Sequence, residues 1–192
     1  MNVVSWAVWF LADIDTALPV LVKSTAALPL RRWQPPVVGL FKLNVDASLK
    51  CSESLVGLGA VIRDSNGLFM AGLSRKRFRS VSIEVAEASA ILNGLHLAID
   101  SGFTHLLVES DALNVINFLI EKKPPNYEVG LVIVDILAIC NSVMVFFSFV
   151  PRCDNSVAHK LARNSFFIDD VSIWLEDTTP WLDQGLLSDL QT

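Results

Sequence analysis

Three carboxylates, Asp46, Glu87 and Asp111, occupy positions from which they can act together. Asp46 ends the stretch Phe41-Lys42-Leu43-Asn44-Val45-Asp46, whose alternation marks a strand with one face on a core. An aspartate ending a buried strand is costly unless a metal, a cation or several donors neutralise it. Its simpler role is to cap a turn through its own side chain. Asp111 follows the short run His105-Leu106-Leu107-Val108, and Glu87 falls in the first turns of a helix beside its apolar stripe. Three acids in one place repel each other and attract cations. An all-oxygen ligand set suits Mg2+ or Mn2+. Singly, Asp111 serves equally well as a helix N-cap and Glu87 as a favourable charge near a helix N-terminus. Glu109 is expected to point away from Asp111.

The chain supplies the elements that must position these acids. Strands are expected at 41–47, 56–63 and 68–78, with Asp64-Ser65-Asn66-Gly67 as the hairpin turn between the last two. The period then changes. Ala88, Ile91, Leu92, Leu95 and Ile99 share a helical face, with Ser82 at the start and Gly102 after the end. A strand at 104–109, helices at 112–121 and 128–141, a strand at 143–150 and a helix from 154 to 167 complete the pattern. The order β-β-β-α-β-α-α-β-α predicts an α/β fold. Its five-stranded mixed sheet has β1–β3 antiparallel and β1, β4 and β5 parallel, with helices on its faces. Sites in such sheets gather beyond the carboxyl ends of parallel strands. If strands 1 and 4 are neighbours, Asp46 and Asp111 meet there, with Glu87 over them.

Composition narrows the function classes. Apolar residues are 52% and charged residues 18% of the 192, which fits a filled interior rather than a disordered chain. A net charge of −5 provides no basic field over the whole molecule, so polyanion binding requires a local patch. Arg75-Lys76-Arg77-Phe78-Arg79 is the densest such patch and Arg31-Arg32 the second; a solvated strand end is the simpler role of the first. Cys51, Cys140 and Cys153 have no metal-ligand spacing, so a reduced intracellular setting, nucleus or cytoplasm, is expected. The apolar run 129–150 is split by Asp135 and Asn141, and reads as helix and strand rather than a membrane span. Pro19, Pro29, Pro35 and Pro36 limit regular structure before residue 37, although 3–11 has the makings of a short helix. Residues 1–36 are therefore expected to be an extension, 37–168 the domain, and 169–192 a tail with little regular structure.

Five pieces of the sequence resemble the type 1 ribonuclease H domain, in the divergent form of plant genomes and retroelement-derived plant proteins. They are Lys42-Leu43-Asn44-Val45-Asp46, Gly57-Leu58-Gly59-Ala60-Val61-Ile62-Arg63-Asp64, Ala86-Glu87-Ala88, Val108-Glu109-Ser110-Asp111 and Asn155-Ser156-Val157-Ala158-His159-Lys160-Leu161-Ala162-Arg163. Their order and intervals match over roughly 37–168. Trp33-Gln34-Pro35-Pro36 and the segment 174–177 resemble the flanks of the plant group.

The resemblance implies that Asp46, Glu87 and Asp111 are three of four metal-binding acids, with His159 where the family has the fourth. The family's mobile histidine is also absent, and Val150-Pro151-Arg152-Cys153-Asp154 stands in that place. Leu113 takes a position where many relatives have Gln. The implied activity is hydrolysis of the RNA strand of an RNA–DNA hybrid, with two cations about 4 Å apart. Asp46 would bridge them, Glu87 and Asp111 would each hold one, and His159 would complete the second site. Arg75, Lys76, Arg77 and Arg79 would meet phosphates. A monomer is expected, with no membrane partner. The competing class is a ribonuclease H-like module that binds nucleic acid or protein without cutting. A small-molecule α/β binder lacks its glycine-rich phosphate loop here.

Overall fold

The computed structural model describes residues 33–190. The short helix expected at 3–11 and the Arg31-Arg32 pair lie outside the described residues. Strand β1 (Phe41–Lys50) leads through one 3-10 turn to β2 (Leu55–Arg63) and β3 (Phe69–Phe78). Asp64 closes the hairpin between β2 and β3: its Oδ1 accepts from the backbone N–H of Asn66 and of Leu68, and Gly67 takes φ of 81°. Helix α1 (Ile83–Asp100) starts where Ser82 accepts from Val85 N, and Gly102 follows its end at φ of 83°. Then come β4 (His105–Ser110), α2 (Leu113–Glu121), α3 (Glu128–Ile139), β5 (Met144–Phe149) and α4 (Ser156–Asn164). Strand β6 (Val171–Leu175) and helix α5 (Pro180–Leu190) complete the described chain. None of its helices is long and apolar enough to cross a membrane.

The sheet order is β5-β4-β1-β2-β3-β6. Its first three strands by sequence are antiparallel, and β1, β4 and β5 run parallel, as expected. The sheet has six strands rather than five, and the segment expected to lack regular structure supplies the extra one. Strand β6 pairs antiparallel with β3 from Ala71↔Leu175 to Arg75↔Val171. Val171, Ile173 and Leu175 alternate with Ser172 and Trp174, which is a strand pattern. It covers an edge that β3 would otherwise present bare.

Each face of the sheet carries its own core. Leu43, Val45 and Val108 meet Ile91 and Leu95 of α1 and Ile133 and Ile136 of α3 on one face. On the other, Val61 packs with Val157 and Leu161 of α4 and Leu182 and Leu186 of α5. Helix α4 lies so close to β2 that a Cβ on Gly59 would run into the carbonyl oxygen of Ala158 and the backbone of Ala162. Gly94 gives α1 the same close approach to β1, where a Cβ would sit 2.8 Å from Val45 Cγ1. We expect Gly59→Val to push α4 off the sheet and cost about 3 kcal/mol, the upper end of overpacking. A thermal melt checks it.

Candidate active site

Each acid reaches the site by a different route. Asp46 points to the α4 face of β1, opposite Gly59 in register, and is 2% exposed. The bare strand at Gly59 lets α4 come down onto it, and Asn155 Nδ2 donates to Val45 O at 2.8 Å, fixing the start of that helix. These two contacts bring His159 to Asp46, with Nδ1 2.6 Å from Oδ2. Glu87 comes from the first turns of α1, drawn close by Gly94, and is 8% exposed. Asp111 follows the last residue of β4, the parallel neighbour of β1.

The three acids converge: one oxygen from each lies within 4.8 Å of the others. Glu109 is outside this group, because its carboxylate is taken by Lys42 Nζ at 2.7 Å and Asn44 Nδ2 at 2.9 Å. His159 enters as a partner of Asp46. Its Nδ1–H can donate to the carboxylate, which leaves Nε2 as an acceptor, and Arg152 Nη2 lies 3.2 Å from both ring nitrogens. Arg152 shares an open cleft of about 580 Å3 with Glu87, Asp111, Leu113 and Asn114. That volume is in the range of small-ligand sites.

The electrostatics call for a cation. Burial pushes the Glu87 carboxyl up to about 9, and the charges of Asp46 and Asp111 push the same way. Burial also raises Asp46 to about 6, against the opposing His159 hydrogen bond and with Asp111 adding to the rise. Glu87 Oε2 is buried and accepts from no partner. A buried orphan oxygen, two further carboxylates and an all-oxygen donor set fit a hard divalent ion such as Mg2+ or Mn2+.

A pH dependence follows. Below pH about 4 these groups are protonated in folded and unfolded chain alike, and neither lowers stability. As pH rises, the unfolded chain loses its protons first, so metal-free stability falls through about 6 for Asp46 and about 9 for Glu87. We expect the melting temperature in chelator to decline across that window, and Mn2+ to recover most of the loss at pH 8. Calorimetry at several pH values checks both.

The basic patch lies elsewhere on the sheet. Register runs from Asp46 to Gly59 to Ser74, so Arg75 begins two strands away from the acids. Arg75 Nη1 donates to Asn93 Oδ1 at 2.5 Å. Arg77 is 3.5 Å from Asp170, Arg79 3.7 Å from Glu128, and Lys76 Nζ 5.7 Å from the Phe78 ring centroid. Sequence reasoning missed Arg152 as a member of the site. Its short turn before α4 has no periodicity from which the direction of the side chain can be read.

A mixed sheet in this order, with Asp46 on β1 just past its last parallel pair with β4, Asp111 directly after β4 and a third acid over them on the first helix, defines a ribonuclease H-like domain. The chain belongs to the Reverse transcriptase-like family, whose model matches residues 44–165. Solved structures share the fold. RNase H1 of Halobacterium salinarum is 21% identical with a TM-score of 0.62, over 67% of this chain and 98% of its own. The N-terminal RNase H domain of a Mycobacterium tuberculosis protein is 21% identical with a TM-score of 0.61, over 67% and 94%. LC11-RNase H1, solved in complex with an RNA/DNA hybrid, is 17% identical with a TM-score of 0.60, over 65% and 95%. No match was found among curated proteins.

Proposed function

We propose that this chain binds an RNA–DNA hybrid and hydrolyses its RNA strand at the Asp46–Glu87–Asp111 group, with Mg2+ or Mn2+. The observation that carries this reading is the convergence of three acids around a buried oxygen that accepts from no partner. A relative of the same fold, LC11-RNase H1, has been solved with such a hybrid. Asp46, Glu87 and Asp111 would hold the cation. When bound, it supplies Lewis acidity toward a phosphoryl oxygen and acidifies a water. His159 fixes the rotamer of Asp46 through Nδ1; this role replaces that of fourth ligand, since both ring nitrogens already face partners. Hybrid is told from duplex DNA by 2′-hydroxyl contacts in a wide minor groove. Arg75, Lys76, Arg77 and Arg79 meet phosphates farther along the duplex and make affinity salt-dependent. The flanks at 33–36 and 174–177 support a plant, retroelement-derived origin, and the substrate implies an intracellular location, nucleus or cytoplasm.

One observation favours a second reading. His159 holds one oxygen of Asp46 and Arg152 stands beside it, an arrangement that also suits a module that grips nucleic acid without cutting. A gel assay with labelled hybrid, single-stranded RNA, duplex RNA and duplex DNA, in Mg2+ and then Mn2+, separates the two. Cleavage confined to the RNA of the hybrid supports the nuclease. Tight hybrid binding with no cleavage in either metal supports the binding module.

A further inference from the structure

Arg152 is the strongest unassigned feature of the cleft. It lies in the 3-10 turn before α4 and is exposed, yet its side chain lines the same cavity as Glu87 and Asp111. Among the described residues no carboxylate lies within ion-pair distance of it. Its polar contact is His159, through one terminal nitrogen at 3.2 Å from each ring nitrogen. A guanidinium has five N–H donors in a planar fork, so most of them remain for a ligand. Planar forks of this kind match phosphate oxygens.

The acids have lost capacity on the same side. His159 takes Asp46 Oδ2 at 2.6 Å, which leaves Oδ1 as the free oxygen of that carboxylate. A carboxylate bridging two ions offers an oxygen to each. With one oxygen given to imidazole, and an imidazole where a fourth acid would stand, the negative charge suffices for fewer cations.

We propose that Arg152 takes the place of a second cation: the site holds one divalent ion on Asp46, Glu87 and Asp111, and the guanidinium binds a phosphate oxygen of the nucleic acid beside it. This rests on the phosphodiester substrate argued above. His159 is the positioning residue, linking the guanidinium to Asp46. Arg152 lines the cleft together with Glu87 and Asp111, so a phosphate group lying in it can meet the guanidinium beside those two acids.

The test counts bound Mn2+ by electron paramagnetic resonance on the full chain, free and with saturating hybrid frozen directly after mixing. One Mn2+ per chain in both states is expected, and two in the double variant Arg152→Ala/His159→Asp, which removes the cation and restores an acid. Hybrid affinity without metal should fall roughly tenfold in Arg152→Ala, with a salt slope smaller by about one, and partly recover in Arg152→Lys. Arg152 is exposed, so its single variants are expected to fold, and a melt in Mn2+ checks the double variant. Two Mn2+ per wild-type chain, or unchanged hybrid affinity in Arg152→Ala, overturns the role of Arg152 and leaves the nuclease reading standing. No Mn2+ at all overturns the nuclease reading, and this inference with it.

Discussion

Replacing Asp46 by Asn is expected to lower hybrid cleavage by at least about a thousandfold. Asp46 is the acid at which the site's contacts meet: it lies within 4.8 Å of the other two and holds His159 at 2.6 Å. Asn keeps the size and an oxygen that accepts from His159 Nδ1, so the helix should stay seated. What Asn loses is the charge that, with Glu87 and Asp111, attracts a cation. The metal-free protein should gain stability, because one of three repelling groups is gone and Glu87 is relieved of a neighbour that raises its pKa. Lower activity with higher melting temperature in chelator distinguishes a lost ligand from a damaged fold. Hybrid binding should change far less than cleavage, since the arginines of β3 lie two strands away. A gel assay, a binding titration at fixed salt and a melt measure all three.

The second large effect concerns the face of the sheet that carries Asp46. Arg63 is 1% exposed, donates to Asp189 Oδ2 at 2.9 Å and to Asn44 Oδ1 at 3.2 Å, and lies 3.5 Å from the centroid of the Trp33 ring. Burial lowers its pKa to about 10, with Asp189 opposing the shift. Trp33 Nε1 also donates to Asn44 Oδ1 at 2.8 Å. Removing one partner of a buried pair leaves a charge without compensation, which costs about 3–5 kcal/mol. We expect Asp189→Ala to lower the melting temperature by roughly 10–15 °C. Removing everything after residue 168 should be worse, because Leu182 and Leu186 also leave the second core. The double variant Arg63→Met/Asp189→Leu should recover much of the loss, since an apolar pair needs no compensation. We therefore propose a folding unit that runs from 33 to 190, beyond the 37–168 expected from the sequence.

These two regions show what the sequence could and could not disclose. Asp46, Glu87 and Asp111 were legible because period marks the strand and the helix that carry the first two, and the end of β4 marks the third, although β1 runs on past Asp46 to Lys50. Once β1 and β4 are parallel neighbours, the acids have little choice but to meet. The alternation in 41–46 correctly separated Leu43 and Val45 from Lys42, Asn44 and Asp46. It did not show that the polar side is buried as well. Asn44 is fully buried, and Lys42 nearly so, because Trp33, α4 and α5 cover them. Alternation reports which residues share a face, not what lies over it. Apart from Trp33 and Gln34, the cover comes from helices more than a hundred positions away, as Asp189 does for Arg63, and no local pattern carries that pairing. Strand β6 was missed because its period of two spans only the five residues 171–175, too short a run to stand out in the tail. Arg152 was missed for a related reason. Its importance lies in the cleft it enters, and the loop before α4 gives no periodicity from which to read a direction.

The most direct test of the site is to locate a cation at it. Crystals of the full chain soaked in Mn2+ and measured at the manganese edge should show an anomalous peak bonded to oxygens of Asp46, Glu87 and Asp111, absent in Asp46→Asn. A manganese peak elsewhere, with Glu87 Oε2 still lacking a partner, would contradict the account.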